Sequence, residues 1–552
     1  MDNVMPSPLP SIIIPLFGAA ICSLRILTHP RWPMQRWLYV STIAITALAV
    51  LMAGLGMGVL EASRPYTPYL EPILILLWMP LTSWAALLLF AGLLIGQVPR
   101  ILVPLPARQA ALRLILLSSS VAILTAANLM ILLSAWGVQI LVLLLLRSIE
   151  QTDQVQRSSP WEVWTSLLST GLLMIGALAV LAGQEGVLFL IEVWPGVALS
   201  ALSGAVALRL VAWPLAGGLR RNWDVHLMSL VTGFYLWLRI GYSLEITSAS
   251  LGGGIAWAIL LAILSLVAAL YRKPDRGLSY VVLHWITVAL LAPFINPDVG
   301  YVASLLITLH LIACLLVLRM YQTTRIASLR LGQISHLVAW ASLGGIPFTA
   351  GFVGHWLLVR SIWQVGASWL NIWVLLSYLA IAIPTWSQWR IIRQDNAAEQ
   401  ATSLEEHSSR HAQLAWGLAG LLASMLIALG IYPRLADLLW PGIQLDLALL
   451  DHRVLWGESP GALGMVLATA LASLLGGLTW LWDTEEKRIP WLQPIDRLRT
   501  VLDANWLYRV IRDQIEWGLE AMERGLRILE GYFSLGWVLL WFIALFYYLA
   551  GI

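Results

Sequence analysis

The chain is 552 residues long, with 59% hydrophobic residues, 11% charged residues and a net charge of +3. A soluble domain carries about 25% charged residues, so this composition excludes a soluble globular chain and describes a polytopic membrane protein. The small net charge, with no dense basic run, excludes a nucleic-acid partner, and Cys22 and Cys314 stand too far apart, each in an apolar stretch, for a metal, haem or disulfide framework.

Apolar stretches long enough to cross roughly 30 Å of hydrocarbon begin at 9–27, where no charged n-region or cleavage site marks a signal peptide, so a retained helix is expected. They continue at 37–61, 70–97, 110–124, 126–147, 162–183, 194–216, 226–247, 253–271, 277–293, 299–320, 333–361, 367–391, 412–431, 459–482 and 532–550. The expected fold is all-α and polytopic, with about 14–16 transmembrane helices. Basic residues fill every second gap, among them Arg31 and Arg36, Arg100 and Arg108, Arg220 and Arg221, Arg272, Lys273, Arg325, Arg393 and Lys487. The positive-inside rule makes those gaps cytoplasmic and the N-terminus non-cytoplasmic. Thirty tryptophans, with Trp32, Trp37, Trp223, Trp440, Trp480 and Trp482 near segment ends, read mostly as an interfacial belt.

Two spans carry breakers. Pro214, with Gly217 and Gly218, interrupts the seventh. Gly344, Gly345 and Pro347, followed by Gly351 and Gly354, interrupt the twelfth. Backbone groups freed at membrane depth are tolerated only when buried in protein or lining a wet cavity. Broken spans five helices apart fit two inverted five-helix repeats; two independent packing kinks are the simpler alternative. The resulting organisation is 1–100 as N-terminal helices, 110–247 as the first repeat, 253–391 as the second, 412–482 as C-terminal helices, 494–530 as a surface helix and 532–550 as the final span. Within 494–530, Ile511, Ile515, Leu519, Met522, Leu526 and Leu529 form one apolar stripe opposite Arg512, Glu516, Glu520, Glu523 and Arg527. That pattern lies along a membrane surface, either merely solvated on its charged face or bracing a neighbouring subunit.

Four basic side chains, Arg209, Arg239, His310 and His355, fall deep inside apolar spans, while both lysines, Lys273 and Lys487, fall in gaps. A charged group at the bilayer centre costs at least about 2.5–3.5 kcal/mol on insertion scales, so a polar line within the bundle is expected, and with it ion or proton movement. Arginine keeps its proton and supplies fixed charge, whereas histidine titrates near neutral pH. Glu185 and Glu192 read as solvated or helix-start acids, and His336 and Arg360 as interfacial groups at the ends of the twelfth span. The chain has no dinucleotide fingerprint, P-loop or cysteine cluster, so no catalytic, cofactor-binding or metal-ligating residues are expected.

The run Ser342-Leu-Gly-Gly-Ile-Pro347-Phe-Thr-Ala-Gly351-Phe-Val-Gly354-His355 resembles the twelfth helix of the antiporter-like subunits of respiratory complex I and of their Mrp-antiporter and membrane-hydrogenase relatives. In those proteins a similar glycine- and proline-rich stretch precedes a lysine or glutamate, the place His355 takes here. Asn128–Trp136 resembles the start of the family's fifth helix, Leu208–Pro214 its seventh, Leu238–Gly241 its eighth, Leu309–Ile312 its eleventh and Leu502–Arg509 a stretch near the C-terminus. His284 lies close to the family's tenth-helix Ser-His pair, with Trp285 a candidate for the histidine's place. The departures are as telling. The glutamate that follows the fifth-helix tryptophan is Gly137, and the seventh- and eighth-helix lysines are Arg209 and Arg239. The histidine usually found beyond the seventh-helix proline is Ala216.

The resemblance implies a membrane-arm subunit, itself without redox groups, of an NAD(P)H- or ferredoxin:quinone oxidoreductase-type proton translocase in an energy-transducing membrane. Flavin, iron–sulfur clusters and quinone would belong to partner subunits, and the partners of this chain would be other membrane subunits, lipid, and protons or Na+. His310, His355, Arg209, Arg239 and His284 are then the proton-path candidates. Two alternatives stand beside this: a structural paralogue that spaces and braces the membrane arm without conducting, and a free-standing secondary transporter.

Overall fold

The computed structural model describes residues 9–28, 38–46, 48–49, 106–126, 129–151, 168–176, 196–215, 223–242, 256, 258–265, 274–324, 330–366, 370–378, 380–381, 385, 410–435, 467, 470–471, 474–475 and 517. The protein is an all-α polytopic membrane protein, with no strand among these residues. In chain order the helices are α1 (Leu9–Thr28), α2 (Ala107–Thr125), α3 (Leu129–Gln151), α4 (Gly196–Leu215), α5 (Trp223–Tyr242), α6 (Pro274–Ile295), α7 (Pro297–Thr324), α8 (Arg330–Leu343), α9 (Ala350–Gln364) and α10 (Arg410–Ile431). Three described helices are long and apolar enough to cross a membrane, over Ala107–Leu124, Leu278–Ile295 and Val299–Tyr321.

The bundle is organised around α7, whose apolar span is buried throughout. It packs against α5, α6, α8, α9 and α10, while α6 also reaches α4 and α9. A helix apolar on every side belongs in the middle of such a bundle. The outer faces are apolar too: Phe17, Leu141, Ile372 and Leu421 are all well exposed, as expected of surfaces that meet lipid. Several hydroxyl side chains inside the helices bond back to their own backbone, Thr42 to Leu38, Thr287 to Leu283 and Thr308 to Ser304, which gives each of these donors an acceptor within the apolar bundle. The compact unit Met1–Thr484 holds all ten helices. Within the second unit, Glu485–Ile552, only Trp517 is described, so the expected surface helix at 494–530 and final span at 532–550 lie outside the described residues.

Two prolines set where tryptophans go. Pro293 lies inside α6 and has no N–H, which removes the usual helical donor to the Ala289 carbonyl. The Trp237 indole of α5 donates to that carbonyl at 3.2 Å. The same logic applies where α8 ends. Pro347 cannot donate to the Leu343 carbonyl one turn earlier, and the Trp285 indole of α6 does so at 2.9 Å. Trp136, Trp237, Trp285 and Trp356 are fully buried. These four serve the interior; the side chains of Trp32, Trp37, Trp223, Trp440, Trp480 and Trp482, expected at the interface, lie outside the described residues.

The break in the expected twelfth span runs from Gly344 to Thr349, between α8 and α9. Gly345 takes a positive φ of 64°, which a side chain disfavours, and its carbonyl accepts from the Tyr378 hydroxyl. Phe348 also has a positive φ, 70°, a conformation bulky residues rarely adopt. Gly351 and Gly354 are not in the break; they lie in α9, where absent side chains permit close approach. A Cβ at Gly351 would collide with the Ser342 carbonyl and one at Gly354 would press on Ile307 at 2.6 Å. Pro214 lies within α4 one residue before its end, so α4 is not broken there, and 216–222 lie outside the described residues. Without an N–H, Pro214 leaves the Leu210 carbonyl one turn earlier lacking its usual helical donor.

Candidate functional site

Two polar clusters are built inside the apolar bundle, one in each half of the chain. The first hangs from α2, α3 and α4. Ser120 donates to the Leu116 carbonyl at 2.7 Å, Gln139 Nε2 donates to Ser120 Oγ at 2.8 Å, and Arg209 Nη2 donates to Gln139 Oε1. The guanidinium carbon stands 3.9 Å from the centre of the Trp136 ring. Trp136 and Gln139 are three residues apart on α3 and so share a face. A Cβ at Gly137, by contrast, would meet nothing within 4 Å, so that position does not point at the arginine. The cation is held by a neutral amide and an aromatic face, with Arg209 Nε and Nη1 unbonded among the described residues. Sequence reasoning missed Gln139. The available signal was an amide standing alone among the apolar residues of the span, three positions after the tryptophan.

The second cluster collects at the break. His284 on α6 and His355 on α9 form a hydrogen bond, Nε2 to Nε2, of 2.9 Å. On its other side His284 Nδ1 lies 2.6 Å from Ser265 Oγ, and Ser265 donates its own proton to the Leu261 carbonyl at 2.7 Å. A hydroxyl has one proton, so these contacts assign the tautomers. Ser265 accepts from His284 Nδ1–H, which leaves His284 Nε2 as an acceptor for His355 Nε2–H. His284, His310 and Ser265 have no exposed surface and His355 only 1%. Two imidazolium ions in such contact would repel strongly in a dry interior, so the pair carries at most one extra proton.

His310 on α7 belongs to the same cluster and is not bonded to the pair. Trp285 touches both His310 and the pair, its ring 4.3 Å from the centre of His310 and 4.3 Å from that of His355. The Ser342 and Ile307 backbones lie against the His310 ring, with no hydrogen bond of good geometry to either nitrogen. Its Nε2 would lie 3.0 Å from a Cβ at Gly351, so glycine is what lets α9 begin against the imidazole. Tyr378 closes the opposite side of His355, edge-on at 4.3 Å. Helix breaks therefore serve the cluster directly: Gly351 N–H donates to Ser342 Oγ at 3.2 Å, and Tyr378 and Trp285 satisfy the carbonyls of Gly345 and Leu343.

Of the five sequence candidates, the structure gathers His284, His310 and His355 and places Arg209 in the other cluster. The side chain of Arg239 lies outside the described residues. His336 is buried rather than interfacial, stacked on Tyr321 at 3.9 Å and accepting from Trp340 Nε1 at 3.2 Å. An aromatic neighbour one turn away and another across the helix pair explain why it packs inward. Arg360 is partly buried with its guanidinium 5.4 Å from the Trp356 ring, and Glu185 and Glu192 lie outside the described residues. No group of three or more residues able to hold a metal occurs among the described residues.

No family model matches the sequence, and no curated protein matches it. Solved structures do. A chain of respiratory complex I from Thermus thermophilus, solved with bound aureothin, is similar with a TM-score of 0.55 and 17% identity, over 77% of this chain and 98% of that one. A chain of the Mrp complex from Dietzia sp. DQ12-45-1b gives 0.59 and 15%, over 84% and 99%. A chain of the membrane-bound sulfane sulfur reductase, an archaeal respiratory membrane complex, gives 0.67 and 14%, over 97% and 100%. Identity this low carries the fold, and carries it over nearly the whole of each neighbour: this chain has the fold of integral membrane chains from respiratory and Mrp complexes.

Proposed function

We propose that this chain is an antiporter-like membrane-arm subunit of a complex I-type or related assembly, and that protons move through its second half. The observation that carries this reading is the His284–His355 hydrogen bond of 2.9 Å, closed inside the bundle at a helix break. Histidine pairs of this kind accept a proton on one ring nitrogen and release one from another. An extra proton on the pair leaves the Nε2–Nε2 hydrogen bond in place, with the Gly351 backbone one turn back on α9 favouring charge on the His355 ring. The electron transfer that drives the movement would occur in partner subunits carrying flavin, iron–sulfur clusters and quinone. The carried ion is H+ in this reading, since imidazole nitrogens in a dry pocket suit protons better than Na+, which favours oxygen ligands.

The first half supports a different role for itself. Arg209 is fixed by Gln139, an amide that cannot change charge, and arginine does not surrender its proton in the physiological range. That cluster is a structural anchor, and the half that contains it braces the arm. The orientation in the membrane follows the positive-inside pattern, with the N-terminus non-cytoplasmic.

The test is proton translocation per electron in sealed membranes holding the assembled host complex. His355→Leu and His284→Leu lower that ratio with complex yield intact. Arg209→Leu lowers complex yield. An unchanged ratio in both histidine variants, with normal assembly, leaves the whole chain a spacer.

A further inference from the structure

The histidine cluster contains a discontinuity at one side chain. Trp285 lies in ring contact with both His310 and His355, at 4.3 Å in each case, and it is completely buried. Its single N–H is already given to the Leu343 carbonyl at 2.9 Å. An indole nitrogen has no lone pair free to accept a proton, so the ring in contact with both histidines cannot relay between them.

The acceptor of the indole is equally informative. Leu343 is the last residue of α8, and the residue whose backbone would ordinarily bond its carbonyl is Pro347. The ring is thus latched to a carbonyl at the break that Pro347 leaves without its helical donor. A shift of the break that withdraws Leu343 breaks the latch, frees the ring and loosens the contacts at Gly351 and Gly354, where the Ser342 carbonyl, the His310 imidazole and the Ile307 side chain close directly on the α9 backbone. Water entering there would join the His310 ring nitrogens to the His355 ring by hydrogen bonds.

We propose that Trp285 is a gate between His310 and the hydrogen-bonded His284–His355 pair, closed when its indole is latched to Leu343 and opened by movement of the α8–α9 break. This rests on the histidine path described under the proposed function. The gate makes proton passage conditional on the conformation of the break, so the resting chain does not leak.

The full-length chain reconstituted in proteoliposomes, with a pH step, a trapped pH dye and the membrane potential clamped by valinomycin and K+, tests this. Trp285→Ala raises passive proton flux about tenfold, the change that removing about 1.4 kcal/mol from a barrier gives. Trp285→Phe keeps a ring between the histidines and raises it less. Trp285→His, whose two nitrogens both donate and accept, raises it as Trp285→Ala does and serves where the alanine variant does not fold. Flux equal to wild type in a folded Trp285→Ala or Trp285→His protein overturns the gate. Adding His355→Leu separates the two claims: a raised flux that returns to baseline supports both, and one that persists overturns the histidine path itself.

Discussion

The Arg209 guanidinium rests on the Trp136 ring and donates to Gln139, so its charge in the bundle is met by an amide and a π face. A hydrogen bond to a charged group contributes about 1.5–3 kcal/mol. Gln139→Leu is therefore expected to lower stability by about that amount, seen as a lower melting temperature in detergent. Gln139→Glu keeps the shape and supplies a countercharge, so it should melt no lower than wild type. A Gln139→Leu protein as stable as wild type would show that Arg209 is held by something else. At this scale the sequence was partly readable. His310 and His355 announce themselves because a titratable group in an apolar span has few bland explanations. Gln139 does not, since it carries no charge, and its role depends on a helical register that becomes meaningful only once Arg209 is seen opposite. His284 and Trp285 are adjacent residues whose roles differ because they project from α6 in different directions, one bonding to His355 and the other in ring contact with both His355 and His310.

The α8–α9 break is the element that organises the site. Its position was legible from Gly344, Gly345 and Pro347, because a proline without an N–H and adjacent glycines both weaken a helix. Its extent was not. Gly351 and Gly354 look like breakers in sequence yet are helical, since their function is contact with α7 and α8 rather than chain reversal. Replacing Gly351 with Val forces α9 away from the Ser342 carbonyl and His310; the expected outcome is a destabilised protein with the histidine cluster disrupted, checked by thermal unfolding of the purified chain. Tyr378→Phe is a milder probe. It leaves the ring against His355 and removes only the donor to Gly345, with an expected loss of about 1–3 kcal/mol and unchanged ring packing. Stability equal to wild type would mean that the Gly345 carbonyl finds another donor.

For the whole molecule, the all-α membrane fold followed from composition and span length, because 59% hydrophobic residues in repeated 20-residue stretches have few other folded outcomes. The number of spans, the inverted repeats and the surface helix at 494–530 depend on segments beyond the described residues. The basic gaps make the orientation testable by itself: cysteines introduced at Arg272, Arg325 and Arg393 in sealed cells should resist a membrane-impermeant thiol reagent added outside. Ready external labelling reverses the topology. Likewise Glu516 or Glu523 should cross-link to a neighbouring subunit if 494–530 braces the assembly, and failure to do so in the intact complex removes the brace.

Under the proposed function the second half of the chain conducts and the first anchors. Proton translocation per electron, measured in sealed vesicles containing the assembled complex with His355→Leu, tests that division most directly. The expected result is a lower ratio at normal complex yield, matched by His284→Leu and absent from conservative Arg209→Lys. A wild-type ratio in His355→Leu, with the complex fully assembled, would contradict it.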